Sequence, residues 1–140
     1  MQRKGSAVWK GGLKDGNGQV STGSGGLAAA PYTFVSRFES GGKTDPEELI
    51  AAAHAACFSM AFSGQLGQAN LKPESIATTA TLTLEKTDAG FTVTAIHLAV
   101  RAKVPGADRT AFDKAANDAK AGCPISRLLN TKITMQAVLD

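Results

Sequence analysis

This chain is poor in the residues from which most metal, redox and nucleic-acid motifs are built. It has two cysteines, Cys57 and Cys123, which stand 66 positions apart, so no CxxC element exists. A zinc site drawn from Cys57, Cys123, His54 and His97 matches no known ligand spacing. The 15 Lys and Arg residues are scattered rather than run together, and one Trp and one Tyr leave little for base stacking. No nucleic-acid partner is expected. Arg3 and Lys4 near the start are not followed by an apolar core, so no secretory signal is expected. The apolar run Leu49 to Phe62 is too short for a bilayer span and carries His54, which favours a buried core helix. A cytoplasmic protein without a membrane partner follows. In a reducing compartment, two cysteines point to catalysis or redox chemistry rather than a structural bridge.

What is present fits one globular domain over residues 1–140. Ala7 and Trp9 alternate with polar neighbours, Asp15 to Gly18 supply a turn, and QVST returns, which predicts a hairpin. Gly23 to Pro31 reads as a loop. Tyr32 to Ser40 alternates like a strand, with Tyr32, Phe34, Ser36 and Phe38 on one face and Arg37 on the other, until GGK breaks it. TDPEEL starts a helix: Pro46 suits the first turn, and Asp45 with Glu48 forms a capping box. Thr44 with Glu47 is a competing box. The helix is expected to reach about Gln68. It is apolar nearly all round to Phe62, hence central and buried. Ile76 to Glu85 and Phe91 to Ala102 predict paired strands turned at Asp88 to Gly90. The second of these changes phase, which calls for a bulge near Ala95. A helix over Asp108 to Ala121 stops at Gly122, Cys123-Pro124 opens a short one, and Ile133 to Leu139 is the last strand. The expectation is α+β, with antiparallel strands packed around an apolar helix.

Two readings of the thiols compete. His54 lies three residues before Cys57, on the same helix face, which allows a Cys–His dyad as well as simple packing. Cys123 sits at a helix start, where the dipole lowers a thiol pKa, whereas burial alone would raise that of Cys57. Local physics therefore favours Cys123 as nucleophile unless a cation from elsewhere reaches Cys57.

DPEEL followed by AAAHAACFSMA, with SRFE upstream and AGCP downstream, closely resembles the OsmC branch of the OsmC/Ohr family of osmotically inducible and organic hydroperoxide resistance proteins. The resemblance runs from KGSAVWKG through VPG to the last strand. It implies a thiol-dependent peroxidase for organic hydroperoxides and, less readily, hydrogen peroxide. It also implies an intertwined homodimer with central helices buried between the subunits. On this resemblance Cys57 attacks the peroxide, Cys123 resolves it as a Cys57–Cys123 disulfide, and Arg37 and Glu47 orient and activate Cys57. An external dithiol, of lipoyl type in the family, would restore the thiols, with no metal and no bound cofactor. The position of Arg37 in SRFE points to the OsmC branch. One geometric difficulty stands: ten residues between Glu47 and Cys57 make about 15 Å of unbroken helix. An irregular helix, loops that fold back or a partner subunit would each resolve it. The rival readings are a Cys–His hydrolase or transferase using Cys57 and His54, and a non-enzymatic module that binds an apolar ligand.

Overall fold

The computed structural model describes residues 1–39 and 42–140. The chain divides into two compact units, Met1–Leu49 and Ile50–Asp140.

In the first unit, β1 (Gly5–Lys10) and β2 (Asn17–Thr22) form the expected antiparallel hairpin. Gly18 of β2 is buried because its missing side chain makes room for rings. A Cβ there would lie 2.5 Å from the ring of Tyr32 and 2.8 Å from that of Trp9. Those rings close to 5.4 Å between centroids. The segment expected to be a loop through Pro31 ends in a third strand, β3 (Ala30–Tyr32), paired antiparallel with β2. Pro31 is tolerated because β3 is the edge of the sheet.

A larger correction concerns the strand expected over Tyr32 to Ser40. Phe34–Phe38 is a helix, α1. Ser40, and the first glycine after it, lie outside the described residues. Local capping overrode the period-two pattern. The Ser36 N–H donates to Thr33 Oγ1 at 3.2 Å, and the Thr33 N–H donates to Ser36 Oγ at 2.9 Å. Helical spacing then stacks Phe34 on Phe38, with centroids 4.9 Å apart.

Helix α2 (Pro46–Gln68) starts as expected, with the Glu48 N–H donating to Asp45 Oδ1 at 2.7 Å. The box does not close. The Glu48 carboxylate accepts from the Thr44 hydroxyl at 2.8 Å, and Glu47 pairs with Arg37. At 23 residues α2 is long and apolar enough to cross a membrane by length and composition, unlike the shorter run on which the sequence reading relied. Nor is it buried all round. His54, Phe58, Phe62 and Leu66 form one buried stripe at four-residue spacing, whereas Met60 is 79% exposed and Ala52, Ala53 and Ala56 face outward.

The second unit holds β4 (Ser75–Thr87), β5 (Gly90–Lys103), α3 (Arg109–Gly122), α4 (Pro124–Leu128) and β6 (Lys132–Leu139). β4 and β5 are antiparallel. Thr83 faces Ala95 and Leu84 faces Val93, so Thr94 is the bulged residue. The bulge lets Val93 and Ile96 both reach the core. The expectation of purely antiparallel sheets is corrected here: β6 runs parallel to β5. A parallel neighbour needs a long crossover, and α3 with α4 supplies it. Phe58, Phe62 and Leu66 of α2 pack with Ile96, Leu98 and Val100 of β5 and with Phe112, Ala116 and Ala119 of α3. The Phe62 and Phe112 rings meet edge to face, 5.2 Å apart.

Candidate active site

Cys57 lies on α2, one residue before the buried Phe58. Cys123 ends α3 and opens α4: its N–H donates to the Ala119 carbonyl at 2.9 Å, and its own carbonyl accepts from the Arg127 N–H at 3.0 Å. Pro124 occupies the first turn of α4, as its fixed φ favours. The two sulfurs are joined in a disulfide, with Cα atoms 6.1 Å apart, inside the usual range of about 4.4–6.8 Å. The environments differ. Cys123 is fully buried, whereas Cys57 is only half-buried. α4 has five residues and Cys123 makes no side-chain cap bond, which weakens the dipole argument for Cys123.

His54 is also fully buried, and its Nε2 lies 2.8 Å from Ser126 Oγ. Burial lowers its pKa below the ordinary 6.5, so the imidazole is neutral. A Cys–His dyad is not what the geometry holds: the ring nitrogen meets Ser126, and Cys57 is bonded to Cys123. His97 lies on β5 with its Nδ1 2.7 Å from Thr134 Oγ1 of β6.

Arg37 of α1 and Glu47 of α2 form a fork-to-fork pair, Nη2 to Oε1 at 2.7 Å and Nε to Oε2 at 3.1 Å. The hydrogen bond that Arg37 donates to Glu47 raises the pKa of Arg37 further above its ordinary value, against the opposing effect of burial, so the guanidinium is permanently charged. Its carbon lies 5.1 Å from the Phe38 ring centroid. This same face of the first unit opens an apolar cavity of about 250 Å³, lined by Trp9, Leu13, Tyr32, Phe34, Arg37 and Phe38. The aromatic wall was visible only as alternation, which put Arg37 on the face opposite Phe34 and Phe38. Helix α2 is unbroken across Glu47 and Cys57, so no helical irregularity shortens the rise of about 15 Å between them.

Ser126 was missed. Its signal was a repeated spacing: His54 stands three residues before Cys57, and Ser126 three after Cys123.

A half-buried and a buried cysteine bonded across two helices, on an α+β frame with a separately fixed Arg–Glu pair, define a thiol–disulfide protein. The chain belongs to the OsmC-like protein family, whose model matches residues 39–137. It is 53% identical over 135 residues to Peroxiredoxin OsmC of Escherichia coli (strain K12), covering 96% of this chain and 94% of that one. The fold is similar to that of an OsmC-like protein of unknown function from Vibrio cholerae, with a TM-score of 0.78 at 17% identity over 99% of both chains. It is similar also to the organic hydroperoxide resistance protein OhrB of Bacillus subtilis, with a TM-score of 0.71 at 21% identity over 96% of this chain and 98% of that one.

Proposed function

We propose that this chain is a thiol-dependent peroxidase that reduces organic hydroperoxides, and hydrogen peroxide more weakly, in cytoplasmic defence against oxidative or osmotic stress. The observation that carries the reading is the Cys57–Cys123 bridge, formed between helices by residues 66 positions apart. The E. coli relative, named a peroxiredoxin, supports it.

Exposure supports this division of roles. A peroxide must reach the attacking sulfur, and Cys57 is the accessible one. The Cys57 thiolate attacks the distal peroxide oxygen, an S–O bond forms, the O–O bond breaks, and the alkoxide leaves to be protonated as an alcohol. The Cys123 thiolate then attacks the sulfenic sulfur. The S–S bond forms, the S–O bond breaks, and hydroxide departs and gains a proton as water. An external dithiol, of lipoyl class as the family resemblance implies, returns two electrons and two protons by disulfide exchange. Arg37 holds the thiolate and donates to the departing alkoxide, while Glu47 fixes the guanidinium plane. The aromatic cavity beside Arg37 accepts the hydrocarbon body.

The assembly is a homodimer. The outward Ala52, Ala53, Ala56 and Met60 of α2 are small or apolar and suit a second helix. Because α2 is unbroken, a fold-back of the loops or a partner subunit is the route that remains for bringing the Arg37–Glu47 pair to a thiolate. No metal and no bound cofactor take part.

Mass spectrometry after one equivalent of an organic hydroperoxide tests the scheme. The reduced protein should lose about two mass units as the disulfide forms. Cys123→Ser should gain oxygen at Cys57, and Cys57→Ser should barely react. Oxidation of Cys123 in Cys57→Ser, with Cys57 inert in Cys123→Ser, would reverse the assignment.

A further inference from the structure

Helices α2 and α4 are joined by two links. One is the Cys57–Cys123 disulfide, the other the His54–Ser126 hydrogen bond at 2.8 Å. Each helix contributes its pair at a spacing of three residues, so the links lie one helical turn apart as rungs of one ladder. The catalytic cycle must open the first rung in every turnover. The second is the polar link that remains.

Three observations give that rung its weight. α4 has five residues, too few to hold a helix without tertiary support. The chain bends at Cys123, with φ −55° and ψ 127°, so the position of its sulfur depends on what α4 is tied to. The link is dry: His54 is 0% and Ser126 9% exposed, and water cannot readily take the place of either partner. The histidine is also costly for a packing residue, because its Nδ1 is buried without a partner among the described residues. With the proton on Nε2, donated to Ser126 Oγ, the unpaired atom is a lone pair rather than an N–H. An apolar side chain would fill the site without that penalty.

We propose that His54 and Ser126 are positioning residues for the resolving step. Their hydrogen bond keeps α4 docked on α2 while the disulfide is open, so that Cys123 stays within reach of the Cys57 sulfenic acid. The inference rests on the roles given above to the two thiols. Its consequence is a partition. The sulfenic acid either meets the Cys123 thiolate, forming S–S and releasing hydroxide, or meets a second hydroperoxide, which transfers another oxygen to sulfur and leaves as an alcohol, giving the sulfinic acid. The pin favours the first course.

The experiment mixes fully reduced protein with cumene hydroperoxide. It follows loss of the Cys57 thiol, appearance of the disulfide and yield of sulfinic acid as separate quantities. In Ser126→Ala the Cys57 thiol should be consumed at the wild-type rate. Disulfide formation should slow roughly fivefold, as expected for one lost hydrogen bond that leaves its partner unpaired, and sulfinic acid should rise. Ser126→Thr keeps a hydroxyl and should restore the disulfide rate, while His54→Leu, which has neither donor nor acceptor, breaks the rung from the other side and should match Ser126→Ala. A disulfide rate in Ser126→Ala within about twofold of wild type, far below the effect expected of a lost buried hydrogen bond, would overturn the inference. So would failure of Ser126→Thr to rescue, or equal slowing of both steps. Wild-type protein that leaves Cys57 unoxidised would instead remove the underlying assignment of the thiols, and the inference with it.

Discussion

Opening the Cys57–Cys123 bridge should lower the thermal midpoint by up to roughly 15 °C, a value that follows from loop length. The bridge spans 66 positions. In the chain-entropy picture, closing a loop of that size destabilises the unfolded ensemble by about 4.3 kcal/mol at 25 °C. A chain of 140 residues unfolds with an entropy near 0.3 kcal/mol per kelvin at its midpoint. The ratio of the two is the upper value, because residual structure in the reduced unfolded chain already restricts it. Scanning calorimetry of wild type with and without a phosphine reductant gives the difference directly. Cys57→Ser should melt with the reduced wild type and ignore the reductant. Addition of a hydroperoxide to reduced wild type should raise the midpoint again, which turns stability into a readout of turnover. Oxidised and reduced wild type melting within about 2 °C of each other, less than 1 kcal/mol for this length, would refute the reasoning. It would mean that the bridge does not constrain the unfolded chain in solution.

Arg37→Ala should slow peroxide reduction by roughly thirtyfold or more, since an unassisted thiol is only about 3% ionised at pH 7. Stability should fall by less than about 1 kcal/mol, because the Arg37 side chain of the ion pair is 39% exposed. The pH profile of Cys57 alkylation beside the melting curve checks both, and an unchanged profile and rate would remove Arg37 from the site. Acid should destabilise the fold through His54. Burial lowers its pKa in the folded protein, so the unfolded chain takes up the proton first, and stability is full above about 6.5 and falls as pH drops below it. Urea midpoints at pH 7.5 and 5.0 should separate in wild type and converge in His54→Gln, and an equal acid loss in both would assign the effect elsewhere. Sedimentation at micromolar concentration should find a dimer, and a stable folded monomer would contradict the proposed assembly.

Much of the architecture was legible because one-dimensional chemistry encodes it. Alternation marked β4 and β5, and its change of phase located the bulge to within one residue of Thr94. Asp45 and Asp108 marked helix starts because short polar side chains satisfy free N–H groups there. Alternation failed at Phe34–Phe38, where five residues are too few for periodicity to outweigh the Thr33–Ser36 exchange of hydrogen bonds. It carries no strand direction either, and the parallel β6 follows only from the crossover through α3 and α4. The sequence by itself determined which thiols, cations and carboxylates are available to a site, and the motifs around them determined the family. Only the tertiary structure decided partnership. A side chain's neighbours across 66 or 72 positions depend on how helices are docked, not on spacing along the chain. Docking bonded Cys57 to Cys123, engaged His54 with Ser126 rather than with the thiol beside it, and turned Glu47 from a cap into the clamp on Arg37.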